Sequence, residues 1–201
     1  MSKIDKSNWD ERFSSDDYVY GTEPNAFFKE QLVKLNPGRV FMLGEGEGRN
    51  AVYAAKKNWE VDAVDFSEQA RVKALKLASH KNVNIKYSIS NLSDYEPEKN
   101  YYDAIGIIFV HLDKQELKDI FSKAHEALKN GGVIICEVFS KNQIGKTSGG
   151  PKVTELLYSL NEMENYFKGL KAMYSVECTV ILDEGILHQG EASVIRYVGK
   201  K

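Results

Sequence analysis

Val40-Phe41-Met42-Leu43-Gly44-Glu45-Gly46-Glu47-Gly48-Arg49 decides the fold: an apolar run breaks into alternate glycines and enters a helical pattern at Arg49. A short apolar run bounded by such a turn predicts a buried strand, and the glycines let the backbone turn sharply and approach a ligand closely. Free amides at the start of the helix favour an anionic group, either a carboxylate or a phosphate. About twenty residues further on, Asp65 ends the next strand-like run, where an acid in this kind of fold accepts hydrogen bonds from ribose hydroxyls. Its other use, capping the following helix, falls more naturally to Ser67.

Outward from this turn, strand-like runs at 39–43, 60–65, 83–88, 103–109 and 133–139 alternate with helical patterns, as a parallel sheet with crossover helices requires. Leu117, Ile120, Phe121, Ala124 and Leu128 recur at helical spacing, capped by Asp113 with Glu116 and stopped by Asn130-Gly131-Gly132. Ser159 with Glu162 forms a second capping box, ahead of Met163 and Phe167 on one helix face. Runs at 174–182 and 186–198, joined only by Asp183-Glu184-Gly185, predict an antiparallel hairpin. The expected fold is α/β and Rossmann-like: a mostly parallel seven-stranded sheet, its last strand antiparallel, with helices on both faces.

The 201 residues, 42% hydrophobic, suit one domain over 1–201. Residues 1–38 carry Tyr18, Tyr20, Phe27 and Phe28 and read as a helical cap over the carboxyl ends of the strands. A formal charge of −2 from 27 basic and 29 acidic residues, without long blocks of one sign, argues against nucleic-acid or membrane partners and favours a small-molecule substrate. Nothing in the pattern specifies an oligomer. Cys136 and Cys178 lie in apolar runs and suit a reducing, cytoplasmic setting. The opening residues lack a signal-peptide pattern, and no run reaches the roughly 20 apolar residues that span a bilayer. No His, Cys or acidic cluster at metal-ligand spacing is found, so no metal is expected.

The dinucleotide fingerprint needs a third glycine where this chain has Arg49, which weakens a nicotinamide-dependent oxidoreductase. Ser140-Lys141-Asn142-Gln143-Ile144-Gly145-Lys146-Thr147 approaches a P-loop with Ser140 in place of its first glycine, but Ser148-Gly149-Gly150-Pro151 cannot continue the helix that would cradle phosphates. The segment reads better as a substrate loop.

WDERF, YVYGTEPN, LGEGEGRN, VDAVDFS, FVHL, LKNGG, the SGGP loop and the closing EGILHQGEASVIR together make the chain resemble the class I S-adenosylmethionine-dependent methyltransferases, and within them the tellurite-resistance and thiopurine methyltransferase type. The resemblance spans nearly the whole chain. It implies S-adenosyl-L-methionine as cofactor, with Gly44, Glu45, Gly46 and Gly48 around its methionine part, Asp65 on the ribose and Phe66 against the adenine. Asn91 and Leu92 fall where the family's acid and its neighbour meet the adenine, and Phe109 completes the surround. Asn91 departs from the usual acid. So does Met42, since many members carry an acid two residues before the first glycine.

The implied reaction is an in-line displacement on the sulfonium methyl, in which positioning and exclusion of water supply much of the rate. His111, directly after the fourth strand, is the candidate base or substrate contact; a packing histidine is the alternative. Tyr20, followed by Gly21, is the candidate to close over the sulfonium, and a core-packing role competes with it. Tyr18 and Arg12 are further candidates for substrate contact. Arg49 pairs with Glu45 or Glu47 or reaches an anionic substrate. His188 reads as a surface strand histidine from the residues alone, while the resemblance implies that its hairpin borders the substrate pocket. A non-catalytic cofactor-binding protein remains the third reading.

Overall fold

A computed structural model describes residues 6–201; the first five residues of the expected cap lie outside it. In chain order the elements are α1 (Lys6–Arg12), α2 (Ala26–Leu32), β1 (Arg39–Leu43), α3 (Arg49–Lys56), β2 (Glu60–Asp65), α4 (Glu68–His80), β3 (Lys86–Ile89), β4 (Tyr102–Ile108), α5 (Lys114–Ala127), β5 (Leu128–Phe139), α6 (Leu160–Tyr166), β6 (Lys171–Asp183) and β7 (Gln189–Lys200). The strands form one seven-stranded sheet in the order β3-β2-β1-β4-β5-β7-β6. The pairs among β1 to β5 are parallel, and β7 runs antiparallel to both of its neighbours. The order reverses between β1 and β4, and a crevice for ligands opens at the carboxyl ends of strands at such a point.

The two-residue repeat of a strand sends alternate side chains to opposite faces. Phe41 and Leu43 of β1 join Ile105, Ile107, Leu117 and Phe121 in one apolar core, which α5 covers. Val40 and Met42 face the other way, with Phe28, Ala51, Ala54, Ala104 and Ile135, under α2 and α3. Met42 therefore points into this core, and its methyl end abuts Gly106 and Phe28.

Three expected boundaries move. β3 begins at Lys86 because Val83 N–H donates to Ala78 O and Asn82 takes a positive φ, so the residues before it close the end of α4. α5 ends at Ala127, and Asn130-Gly131-Gly132 lies inside β5 as an irregularity with Gly131 at φ 84. The hairpin strands run longer than expected on their outer ends, but the connection between them widens to 184–188. That loop docks on the N-terminal segment: Leu187 N–H donates to Val19 O, and a Cβ on Gly185 would lie 2.4 Å from Gly21 N. The Asp113 cap and the Ser159–Glu162 capping box form as expected.

Candidate active site

The glycine turn is built by backbone conformation first. Gly44, Gly46 and Gly48 have φ of 59°, 61° and 90°, in the left-handed region that other residues enter at a cost. Space reinforces the choice, because a Cβ on Gly44 would lie 2.8 Å from Val110 and one on Gly48 2.6 Å from Ala74. Asp65 at the end of β2 closes the turn: its Oδ2 accepts from Gly46 N–H at 3.0 Å and its Oδ1 from Ser67 N–H at 3.0 Å. Burial pushes its carboxyl above the usual range, against the pull of those amides. Tyr87 donates to Gly46 O at 2.7 Å from β3.

Glu45 bends back rather than outward. Its Oε1 accepts from Ala51 N–H at 2.7 Å and so supplies the cap that Gly48 lacks at the start of α3. Burial drives its pKa up to about 7. What Glu45 brings to a ligand is therefore its main chain, with its carboxylate spent on the helix.

Glu47 ties down the N-terminal segment. Its two oxygens accept from Val19 N–H and Tyr20 N–H, and it forms an ion pair with Lys73, the side chains being only 2% and 9% exposed. Lys73 also donates to the carbonyls of Ser15 and Asp17. Phe13 lies over Gly46, 3.5 Å from where a Cβ would stand. The cap thus sits on the glycine turn. Tyr18, expected near the substrate, instead donates to Lys73 O at 2.9 Å and packs beside Val52 and Leu77, on the outer side of α3 and α4.

Tyr20 leads to the other end of the crevice. Arg12 donates to its hydroxyl at 3.0 Å, and its ring lies 4.6 Å from that of His188. Phe109, at φ 54 just beyond β4, stacks on Phe139 at 4.5 Å and meets His188 edge-on at 4.7 Å. His188 is thereby walled by three aromatic rings and is 4% exposed, a buried loop residue rather than a surface strand one. The SGGP loop closes the remaining side, since a Cβ on Gly149 would lie 2.6 Å from the His188 ring.

His111 does not stand open to this space. Phe139 N–H donates to its Nε2 at 3.2 Å, which leaves Nδ1 to donate to Leu156 O at 2.8 Å. Both nitrogens are engaged by backbone, and burial lowers the pKa to about 4. The base role expected for His111 gives way to packing: the ring stacks on Tyr158 and anchors the 140–158 segment. Arg49 is corrected as well, for its guanidinium pairs with Glu184 at 2.9 Å and donates to Tyr20 O, neither Glu45 nor Glu47 being its ion-pair partner.

Sequence reading missed a polar seam behind His188. Asn25 donates through Nδ2 to Glu137 at 2.6 Å and to Glu184 at 3.0 Å, and Glu137, fully buried on β5, pairs with Arg196 on β7. A signal was present, because Glu137 within VIICEVF and Arg196 within SVIRYV are charges inside apolar strands, and such charges require a partner. Their register across β5 and β7 puts them opposite one another.

The remaining candidates fall around the glycine turn. Leu92 is buried against Gly44, Phe66 follows Asp65 half-buried, and Asn91 is exposed with its amide on Asp94. The near P-loop at 140–147 forms a short 3-10 turn over Lys141–Gln143, then a loop in which Gln143 is buried and bonded to Ser148. No helix follows it to hold phosphates.

The donor set suits a nucleoside with an amino-acid end. Each Asp65 oxygen holds one amide and keeps a lone pair for a hydroxyl donor, Gly44 and Gly48 leave no room for a side chain in the turn, and Leu92 offers an apolar surface. A pyrophosphate lacks its third glycine, Arg49 being turned away onto Glu184.

Residues 40–132 match the family model described as a methyltransferase domain. Over 136 residues the chain is 22% identical to the protein named "Probable S-adenosyl-L-methionine-dependent methyltransferase TehB" of Haemophilus influenzae (strain 10810), covering 67% of this chain and 46% of that one. The chain thus spans about half the length of the curated relatives it matches. The crystal structure of TehB from Haemophilus influenzae superposes with a TM-score of 0.73 at 16% identity, over 98% of this chain and 66% of that one. Burkholderia thailandensis 1,6-didemethyltoxoflavin-N1-methyltransferase, solved with 1,6-didemethyltoxoflavin and S-adenosylhomocysteine, superposes with a TM-score of 0.70 at 16% identity, over 98% and 87% of the chains. The fold is thus that of the Rossmann-like methyltransferase structures, and the segment 40–132 within it matches a methyltransferase domain. In sequence and in fold the chain is similar to TehB.

Proposed function

We propose that this chain transfers the methyl group of S-adenosylmethionine to a small-molecule acceptor, as a single domain over 1–201 with 1–38 as its cap. The observation that carries this reading is the Asp65–Gly46 bond, which joins the glycine turn to a carboxylate at the end of β2, with the aromatic wall of Tyr20, Phe109, Phe139 and His188 toward the other end of the crevice. When bound, S-adenosylmethionine would supply an electrophilic methyl carbon on a sulfonium, to which an acceptor lone pair would bond in line as the sulfur–carbon bond breaks and S-adenosylhomocysteine leaves.

Asp65 and the glycine turn would hold the sugar and the amino-acid end, with Phe66, Asn91 and Leu92 toward the base. Tyr20 and Phe109 exclude water and offer ring faces to a cation, which such faces attract by about 0.5–2 kcal/mol. His188 is the acceptor-facing polar group, since it alone among the walls carries a nitrogen lone pair. Orientation of the two reactants is the main contribution asked of the protein. Arg12 steadies Tyr20 from outside. Two free cysteines support a cytoplasmic setting.

Calorimetric titration with S-adenosylmethionine, S-adenosylhomocysteine, NAD and ATP tests the first half; heat from the first two alone is expected, and preference for NAD or ATP overturns the reading. Mass spectrometry of a metabolite extract incubated with methyl-labelled cofactor tests the second. Label appearing only on protein or nucleic acid would replace the small-molecule acceptor.

A further inference from the structure

Resting on that reading, the geometry points to Glu184 as the residue that positions His188: its carboxylate accepts a hydrogen bond from the Nδ1–H of the imidazole and leaves Nε2 as the lone-pair nitrogen at the acceptor end. Three observations meet at this carboxylate. His188 Nδ1 is buried and has no hydrogen-bond partner among the described residues, yet Glu184 Oε2 stands 3.6 Å from it. That separation is too long for a hydrogen bond and short enough to become one by a small closure, as is common before a ligand is bound.

The carboxylate is itself held from elsewhere. Arg49 donates to Oε2 at 2.9 Å, while Asn25 Nδ2 and Ala26 N–H donate to Oε1 at 3.0 and 3.4 Å. Glu184 therefore links the first turn of α3, at the glycine turn, with the start of α2 and with the loop that carries His188. A clamp of that kind fixes where the carboxylate can be, and so which ring nitrogen can reach it. The other nitrogen lies toward the SGGP loop, 3.1 Å from the place of a Cβ on Gly149.

The charges around the ring agree with this assignment. Glu184 of the same loop favours the protonated ring, Arg49 of α3 and Arg12 of α1 oppose it, and burial opposes it most, so the imidazole rests neutral. His111 beyond β4 is neutral too. A neutral ring with Nδ1–H directed at a carboxylate has its acceptor lone pair on Nε2. An acceptor's X–H proton taken there would form an imidazolium facing Glu184, and the proton would pass to water after the methyl group had moved.

The test uses the full chain with ¹⁵N-labelled histidine. In the wild type the His188 signals should show the Nδ1–H tautomer. Glu184→Ala should shift the tautomer ratio at least threefold toward Nε2–H, and Glu184→Gln, which keeps an oxygen for Arg49, should lower the ring's proton affinity at least threefold. Both variants should bind S-adenosylhomocysteine within about threefold of the wild type, while labelled methyl transfer falls at least tenfold. A wild-type Nε2–H tautomer, or proton affinity unmoved in Glu184→Gln, overturns the assignment. A wild type that binds no S-adenosylmethionine sinks the functional reading instead, and the tautomer measurement still decides this one.

Discussion

Glu45 at the glycine turn and Glu184 in the hairpin loop are both buried acids, yet the protein drives them in opposite directions, one up to about 7 and the other down to about 2. The difference lies in the partners. Glu45 is met by backbone amides of its own helix start, which are dipoles, and burial outweighs them. Glu184 is met by the His188 ring and by the Arg49 guanidinium, and together these outweigh burial. Glu45 is thus held by local main-chain bonds, Glu184 by groups brought from distant parts of the chain.

The sharpest way to break this contrast is to remove a cation from the distant kind of pair. Lys73→Met leaves Glu47 buried without its counter-charge, and a loss of about 3–5 kcal/mol in urea unfolding is expected. Acid titration of stability comes next. For Glu45, whose folded pKa lies above the usual 4.5, stability is fully present below about 4.5 and lost as pH rises through about 7; Glu45→Gln should erase that decline, worth about 3 kcal/mol. For Glu184 the sign reverses: its contribution is present above about 4.5 and lost as pH falls through about 2, so Glu184→Gln should flatten the acid limb by a similar amount, about 3 kcal/mol. Denaturant midpoints from pH 2 to 8 check both, and parallel curves for the two variants would dissolve the contrast.

Smaller effects sharpen it. Asp65→Ala should weaken S-adenosylmethionine binding roughly 30-fold in calorimetry, about 2 kcal/mol, the loss of a buried hydrogen-bond acceptor. Lys34→Ala removes an exposed pair with Glu30 and should change stability by less than about 0.5 kcal/mol, marking the floor against which the buried pairs are judged.

The same contrast explains what could be read from the residues. The glycine turn, the Asp113 cap and the Ser159–Glu162 box are legible because each partner lies within a few positions, where helix geometry leaves one arrangement. Asp65 is legible because its distance from the turn is one crossover. Arg49 and Glu184 are 135 residues apart, and Asn25 and Glu137 are 112 apart; no periodicity connects them. His111 and His188 exchange apparent roles for this reason. Position after a strand suggested an open His111, whereas backbone groups from Phe139 and Leu156 occupy both its nitrogens. His188 reads as a strand residue until its loop is seen docked on Val19 and Gly21.

β7 lies between β5 and β6, and β6 has no other ladder partner among the described residues. On the ribosome β6 emerges first and must wait, with both edges bare, for the strand that joins it to the sheet. His188 and Glu184 sit in the link between the two, so the aromatic end of the crevice closes only after both strands are made. A nascent chain stalled before β7 would already own a glycine turn but no finished aromatic wall, and its exposed strand would be a target for chaperones.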